Sequence, residues 1–152
     1  MENKLKTGTT TVGIACKDGV VLAADKRATA GTMIVDKYAQ KVHIVSDDFA
    51  VTWAGTVSEA QLITKLVRAE LKLKEVRTNK SPTVKDAANL LGGLLYSTIR
   101  RPTMLPGIAH FLLAGKDQSG VFLYDLFPDG SVTKIRDYVS SGSGSVFAYG
   151  VL

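Results

Sequence analysis

Two histidines, one cysteine and a serine–glycine run are the first groups in this sequence to test for chemistry. Neither His43 nor His110 has a cysteine or second histidine at metal-ligand spacing. No zinc site is expected, and both read as strand histidines with hydrogen-bond partners. Cys16 stands among small and apolar residues. It reads as a small hydrophobe, because a reactive thiolate needs positive neighbours. Ser140–Ser145 (SSGSGS) lacks the Gly-Lys-Ser/Thr ending of a phosphate loop and by composition is a plain loop. Lys65, Arg68, Lys72, Lys74, Arg77 and Lys80 gather in one stretch broken by Glu70 and Glu75. Such a cluster could meet a phosphate backbone or an acidic neighbour. No aromatic residue interleaves it to stack on bases, so a solvated helix face is the expected reading. A basic nucleic-acid-binding domain is the weaker alternative.

The elements that must position these residues follow from composition and periodicity. The 152 residues are 45% hydrophobic and 22% charged, which suits one globular domain and excludes a disordered or collagen-like chain. No apolar run reaches the roughly 18 residues of a membrane helix. Met1–Gly8 is polar and carries no secretory signal. The single Cys16 forms no internal disulfide, which fits a reducing cytosol. The formal charge is +5.

Thr9–Cys16 and Val20–Ala24 flank Lys17-Asp18-Gly19 and read as a hairpin. Val42–Val45 and Phe49–Ala54, around Ser46-Asp47-Asp48, read as a second. Ser58-Glu59-Ala60-Gln61 has the form of a capping box opening a helix over 58–77. Its expected apolar stripe is Leu62, Leu66, Ala69, Leu73 and Val76, with Lys65, Arg68, Lys72 and Glu75 on another face. A second helix is expected from Ser81-Pro82, with Pro82 in its first turn, ending before Pro102. Gly92-Gly93 within it costs about 1 kcal/mol per glycine in helix propensity, and close packing on a neighbour would compensate. Strands resume at Ala109–Gly115, Gly120–Leu126 and Val132–Ile135. Val146–Leu152 reads as the first turns of a buried helix. Strands, two helices and strands again predict an α+β layered domain without repeats or linkers.

One run changes the balance. Gly8-Thr9-Thr10-Thr11-Val12-Gly13-Ile14 resembles the processing site of proteasome β subunits, the N-terminal-threonine hydrolases. Asp25-Lys26-Arg27, Lys41, Trp53-Ala54-Gly55-Thr56-Val57, Ser141-Gly142-Ser143-Gly144-Ser145 and Tyr149-Gly150-Val151-Leu152 follow in that family's order. The chain is similar to the archaeal type from Thr7 to its last residue. The resemblance implies a four-layer αββα sandwich of two antiparallel sheets, an Ntn-hydrolase fold, over residues 9–152. It makes 1–8 a propeptide removed by cleavage between Gly8 and Thr9. It also implies further helices and strands beyond Leu152, with an Asp and a second Ser completing the site. The expectation is therefore a shortened form of a longer subunit.

Family likeness also assigns roles. Thr9 is the nucleophile, and its α-amine, once freed, is the base. An α-amine titrates near about 7.7–8.0 and needs little tuning for that work. Lys41 supplies a neighbouring positive charge that Asp25 holds. The Gly55 backbone N–H is the oxyanion donor, worth about 2.7–4 kcal/mol of barrier. Ser143 relays protons beside the amine, and Arg27 braces the Ser143 loop. Substrate lies as an extended strand between Thr29 and Gly55–Val57. Ala28, Ala39, His43, Trp53 and Val57 line the pocket for the residue before the cut. Trp53 departs from the small side chains usual there. It either shortens the pocket, weakening cleavage after Phe or Tyr, or belongs to the sheet–helix core.

As implied partners the resemblance brings other β subunits in a seven-membered ring, α-subunit rings, an ATPase regulator acting through them, and unfolded polypeptides. It implies no cofactor, metal, nucleic acid or membrane, and a cytoplasmic setting. Without catalytic competence, the same residues would serve as a structural or assembly fragment of such a subunit.

Overall fold

A computed structural model describes residues 8–152. The propeptide reading therefore falls, except for Gly8, outside the described residues. The elements are β1 (Thr11–Ala15), β2 (Val20–Ala24), β3 (Ala28–Ala30), β4 (Met33–Asp36), β5 (Val42–Ile44), β6 (Phe49–Gly55), α1 (Val57–Thr78), α2 (Val84–Ile99), β7 (Ala109–Asp117), β8 (Gly120–Leu126), β9 (Val132–Ile135), β10 (Tyr138–Ser141) and α3 (Ser145–Tyr149). They form an α+β sandwich with two antiparallel sheets stacked face to face.

The larger sheet runs β5-β6-β7-β8-β9 and the smaller β10-β1-β2, with β3 and β4 as a separate ribbon. Alternation along β7 builds both sides of the central layer. Phe111 and Leu113 turn toward α1 and α2, where they meet Ile63, Val67, Leu91 and Leu95. Leu112 and Ala114 turn the other way and meet Leu123, Val139 and the partly buried Leu22 between the sheets. The layers are thus helices, large sheet, small sheet and the short α3, which touches β10 and β1. Both expected hairpins form, β1–β2 and β5–β6.

Several local expectations are corrected. The helix α1 starts at Val57 after Thr56, two residues earlier than a Ser58 cap would allow, and no side chain caps it. Its buried face is Ala60, Ile63, Thr64, Val67 and Leu71. The stripe expected to be buried faces outward, with Leu62 at 50% and Val76 at 69% exposure. The helix carries two apolar stripes of equal period, and packing beneath α2 and on β6 selects the one with the β-branched residues. The second helix begins at Val84, not at Pro82, and Thr83 is its N-cap. Thr83 accepts from the Asp86 amide while the Asp86 carboxylate accepts from the Thr83 amide, a complete capping box.

Gly92 is the glycine of the pair that packs closely, with Val132 and the Gly130 carbonyl where a Cβ would stand; Gly93 meets nothing. Ser140 and Ser141 belong to β10 rather than a loop, because pairing with β1 supplies their backbone partners. The helix at Ser145–Tyr149 buries none of its residues. Cys16 lies just beyond β1 and is exposed, so it packs in no core. The basic face of α1 is exposed and much of it is engaged locally. Lys72 pairs with Glu75, Lys74 with Asp86, and the Arg68 guanidinium donates to the Ile44 carbonyl. No helix among the described residues is long and apolar enough to cross a membrane.

Candidate active site

Thr9 stands just before β1, at the end of the small sheet, and is buried at 9% exposure. Asp25 follows β2 directly, so the hairpin brings its carboxylate under the start of β1. There Oδ1 accepts from the Thr10 amide at 2.8 Å and Oδ2 from the Arg27 amide at 3.0 Å. Burial alone would raise the Asp25 carboxyl. The Thr10 amide, the Lys41 ammonium and the Arg27 amide together outweigh it and hold the carboxyl below its ordinary value of 3.8.

Lys41, immediately before β5, is only 5% exposed and crosses from beneath the large sheet to meet these groups. Its Nζ donates to both Asp25 oxygens at 3.0 Å, to the Arg27 carbonyl at 2.7 Å, to Thr9 Oγ1 at 3.1 Å and to the Gly8 carbonyl at 3.4 Å. Five acceptors share three hydrogens, so the ammonium is fully solvated by protein. A buried cation held this way keeps a fixed position beside the Thr9 hydroxyl.

On the other side, the Thr9 amide donates to Ser143 Oγ at 3.3 Å and Gly144 donates to the Thr9 carbonyl at 3.2 Å. The turn from β10 into α3 wraps the threonine closely. Gly142 has φ 92°, and a Cβ on it would run into the Thr9 carbonyl, so no other residue fits. Gly55 closes β6 with φ 125°, and a Cβ there would run into the Ile108 carbonyl. The next peptide is held by that same carbonyl, which accepts from Thr56 N at 2.8 Å.

A cleft of about 360 Å³ opens at Thr9 and is lined by Gly8, Lys41, Gly55 and every residue assigned to the substrate pocket: Ala28, Thr29, Ala39, His43, Trp53 and Val57. Gln61 and Asp36 join them. A second hollow of about 620 Å³ on the far side of Thr9 carries Asp25, Arg27 and Ser143. Trp53 both lines the cleft and, at 5% exposure, belongs to the sheet–helix core. Its ring stacks on His43 at 5.7 Å and 7°. Burial lowers the His43 pKa against a raising bond to the Gln40 backbone, and nearby Arg68 lowers it further.

Arg27 is expected to brace the Ser143 loop; in the structure its main chain serves Asp25 and Lys41 instead. Thr29 Oγ1 accepts from the Gly8 amide at 3.3 Å, so the residue before the expected cut already sits against the strand assigned to substrate. Thr10, Gln61 and Asp36 stand beside Thr9 as well. Their types carry no signal, and only the fold places them at the site.

The chain matches the proteasome subunit family over residues 5–152. It is 41% identical over 152 residues to a proteasome subunit beta of Archaeoglobus fulgidus, covering all of this chain and 70% of that one. With a proteasome subunit beta of Methanobrevibacter smithii it shares 42% over 153 residues, again its whole length, and 71% of the relative. For that of Archaeoglobus profundus the figures are 42% and 69%. The chain belongs to the proteasome β-subunit family.

Proposed function

We propose that the chain is a threonine endopeptidase of a proteasome core, activated by its own cleavage between Gly8 and Thr9. The observation that carries this reading is the placement of one ammonium. Lys41 Nζ reaches the Thr9 hydroxyl, the Gly8 carbonyl and the Asp25 carboxylate together. A group that donates to both the attacking oxygen and the carbonyl it would attack favours the charge that develops between them.

In the uncut chain Thr9 N is an amide and cannot act as a base. Thr9 Oγ1 attacks the Gly8 carbonyl carbon and its proton passes to the Thr9 nitrogen as the C–N bond breaks, so the acyl group moves to oxygen as an ester and the α-amine is freed. Water then hydrolyses the ester, leaving a carboxylate on Gly8 and restoring the Thr9 hydroxyl. The amine then takes the Thr9 hydroxyl proton as the oxygen attacks a substrate carbonyl. Gly55 N–H receives the developing oxyanion, and the amine returns its proton to the departing substrate nitrogen. A second water, deprotonated by the same amine, hydrolyses the acyl-enzyme. Ser143 beside the Thr9 nitrogen carries protons to and from it. Asp25 holds Lys41 in place through their ion pair.

Substrate adds as a strand along Thr29 and Gly55–Val57, with the preceding side chain in the cleft above Trp53. The indole limits the cleft's depth, so cleavage is slower after Phe or Tyr than after small or medium apolar residues. The relatives are proteasome β subunits. Assembly into β rings capped by α rings, fed unfolded polypeptides by an ATPase in the cytoplasm, extends the same reading.

The test is turnover of fluorogenic peptides by the chain co-assembled with an α subunit. Wild type cleaves and Thr9→Ala does not; fastest cleavage after Phe would overturn the pocket reading. Assembled rings without any turnover would favour a structural, non-catalytic subunit.

A further inference from the structure

Beneath the site, three side chains from three strands make a part-buried hydrogen-bonded chain. His110 in β7 lies with its Nδ1 2.7 Å from Ser141 Oγ in β10 and its Nε2 2.5 Å from Asp125 Oδ1 in β8. Asp125 is 6% and Ser141 3% exposed, and Phe127 stacks on the imidazole at 4.6 Å. The imidazole thus bridges the Ser141 hydroxyl and the Asp125 carboxylate through its two ring nitrogens.

The residue types are those of a nucleophilic triad, but the arrangement is not one. Ser141 sits within the β1–β10 ladder, opposite Thr11, where no acyl group can reach it. What the chain does is join the two sheets. His110 and Asp125 belong to the large sheet and Ser141 to the small one. The buried apolar layer between the sheets is thin, comprising Leu112, Ala114, Leu123 and Val139 among the described residues. The polar chain closes that layer at the end where the site lies.

The two halves of the site are divided along the same line. Ser143 follows Ser141 by two residues and meets the Thr9 nitrogen, the two lying just beyond the ends of β10 and β1 of the small sheet. Gly55 ends β6 on the large sheet, and His110 lies opposite its neighbour Ala54. Nucleophile and oxyanion donor are therefore carried by separate sheets. Their separation depends on whatever fixes one sheet against the other at this end.

We infer that His110, Asp125 and Ser141 are positioning residues, a clamp that sets the Gly142–Gly144 turn and Thr9 at a fixed distance from the Gly55 oxyanion donor. The inference rests on the proposed peptidase reading for its catalytic consequence. Its structural half stands apart from that reading. A misplacement of 1 Å can cost on the order of 10²-fold in rate, and the penalty falls on the transition state rather than on ground-state binding.

The test uses the co-assembled protein with Ser141→Ala, Ser141→Thr and His110→Phe, read by peptide kinetics and by amide exchange at Gly142–Gly144. In Ser141→Ala, kcat is expected to fall about tenfold or more with KM within twofold, and exchange at those amides to quicken. Ser141→Thr, which keeps the hydroxyl, should restore both. Should His110→Phe fail to assemble, Ser141→Ala carries the test, since it removes a single oxygen. Unaltered amide exchange, or a normal kcat despite faster exchange, overturns the clamp. If wild type shows no turnover, the peptidase reading fails instead, and the exchange result alone decides the clamp.

Discussion

The two faces of the large sheet do different work. On the helix side, among the described residues, eighteen buried side chains form one core, including Phe111, Leu113, Leu91 and Leu95. On the facing-sheet side four buried apolar residues suffice, and the layer ends in hydroxyls, a carboxylate and an imidazole. A continuous apolar core contributes stability in proportion to the area it removes from water. A thin layer edged with polar groups contributes less, yet fixes atoms in direction, because hydrogen bonds are directional where burial is not. The fold thus keeps its stability on one side of the sheet and the precision of its site on the other.

That division can be broken by mutation. The largest effect is expected from Lys41→Met, which removes the ammonium from Thr9 and Asp25. Peptide turnover should fall by about 10²–10⁴-fold. The unfolding midpoint should fall as well, since Lys41 is buried and its loss leaves the Asp25 carboxylate only the Thr10 and Arg27 amides, so turnover is read per folded molecule. Turnover within tenfold of wild type would remove Lys41 from the chemistry. Next comes Leu91→Ala, at 1% exposure on the helix side. It should cost about 2–5 kcal/mol in denaturant unfolding while turnover per folded molecule stays within twofold. A loss of activity beyond the unfolded fraction would show that the two faces are not separable.

The same contrast explains what was legible in the sequence. Thr9, Asp25, Lys41 and Gly55 were legible only through the resemblance to a family, since their types and spacing alone single out none of them. The β3–β4 ribbon was not legible. Its second strand is exposed throughout (Met33–Asp36), so it shows no inward and outward pattern. Strand β10 was hidden by its serines, which are turn formers in isolation and ladder residues only when β1 lies alongside. Two apolar stripes of equal period compete along α1, and only tertiary packing chooses which is buried. His110, Asp125 and Ser141 are far apart in the chain, and only the stacking of sheets joins them.

Smaller effects sharpen the comparison. Thr83→Ala removes the cap of α2 and should cost about 1 kcal/mol, seen as a lower unfolding midpoint with kcat unchanged. Loss of activity in that variant would tie the helix start to the site. The smallest effect concerns pH. The Asp25 carboxyl is held below its ordinary value of 3.8 in the fold. Its contribution is therefore full above that value and is lost as pH falls through the lower, folded value, because the unfolded chain takes up the proton first. Acid unfolding curves of wild type and Asp25→Asn should converge in that range and separate above it. Parallel curves would mean that Asp25 is not held as described.

The most direct measurement is the intact mass of the assembled chain, wild type beside Thr9→Ala. If Thr9 attacks the Gly8 carbonyl, the wild-type chain begins at Thr9, and the alanine chain retains Gly8 and the residues before it. A Thr9→Ala chain that begins at residue 9, or a fully assembled wild type that keeps Gly8, would contradict self-activation by this threonine.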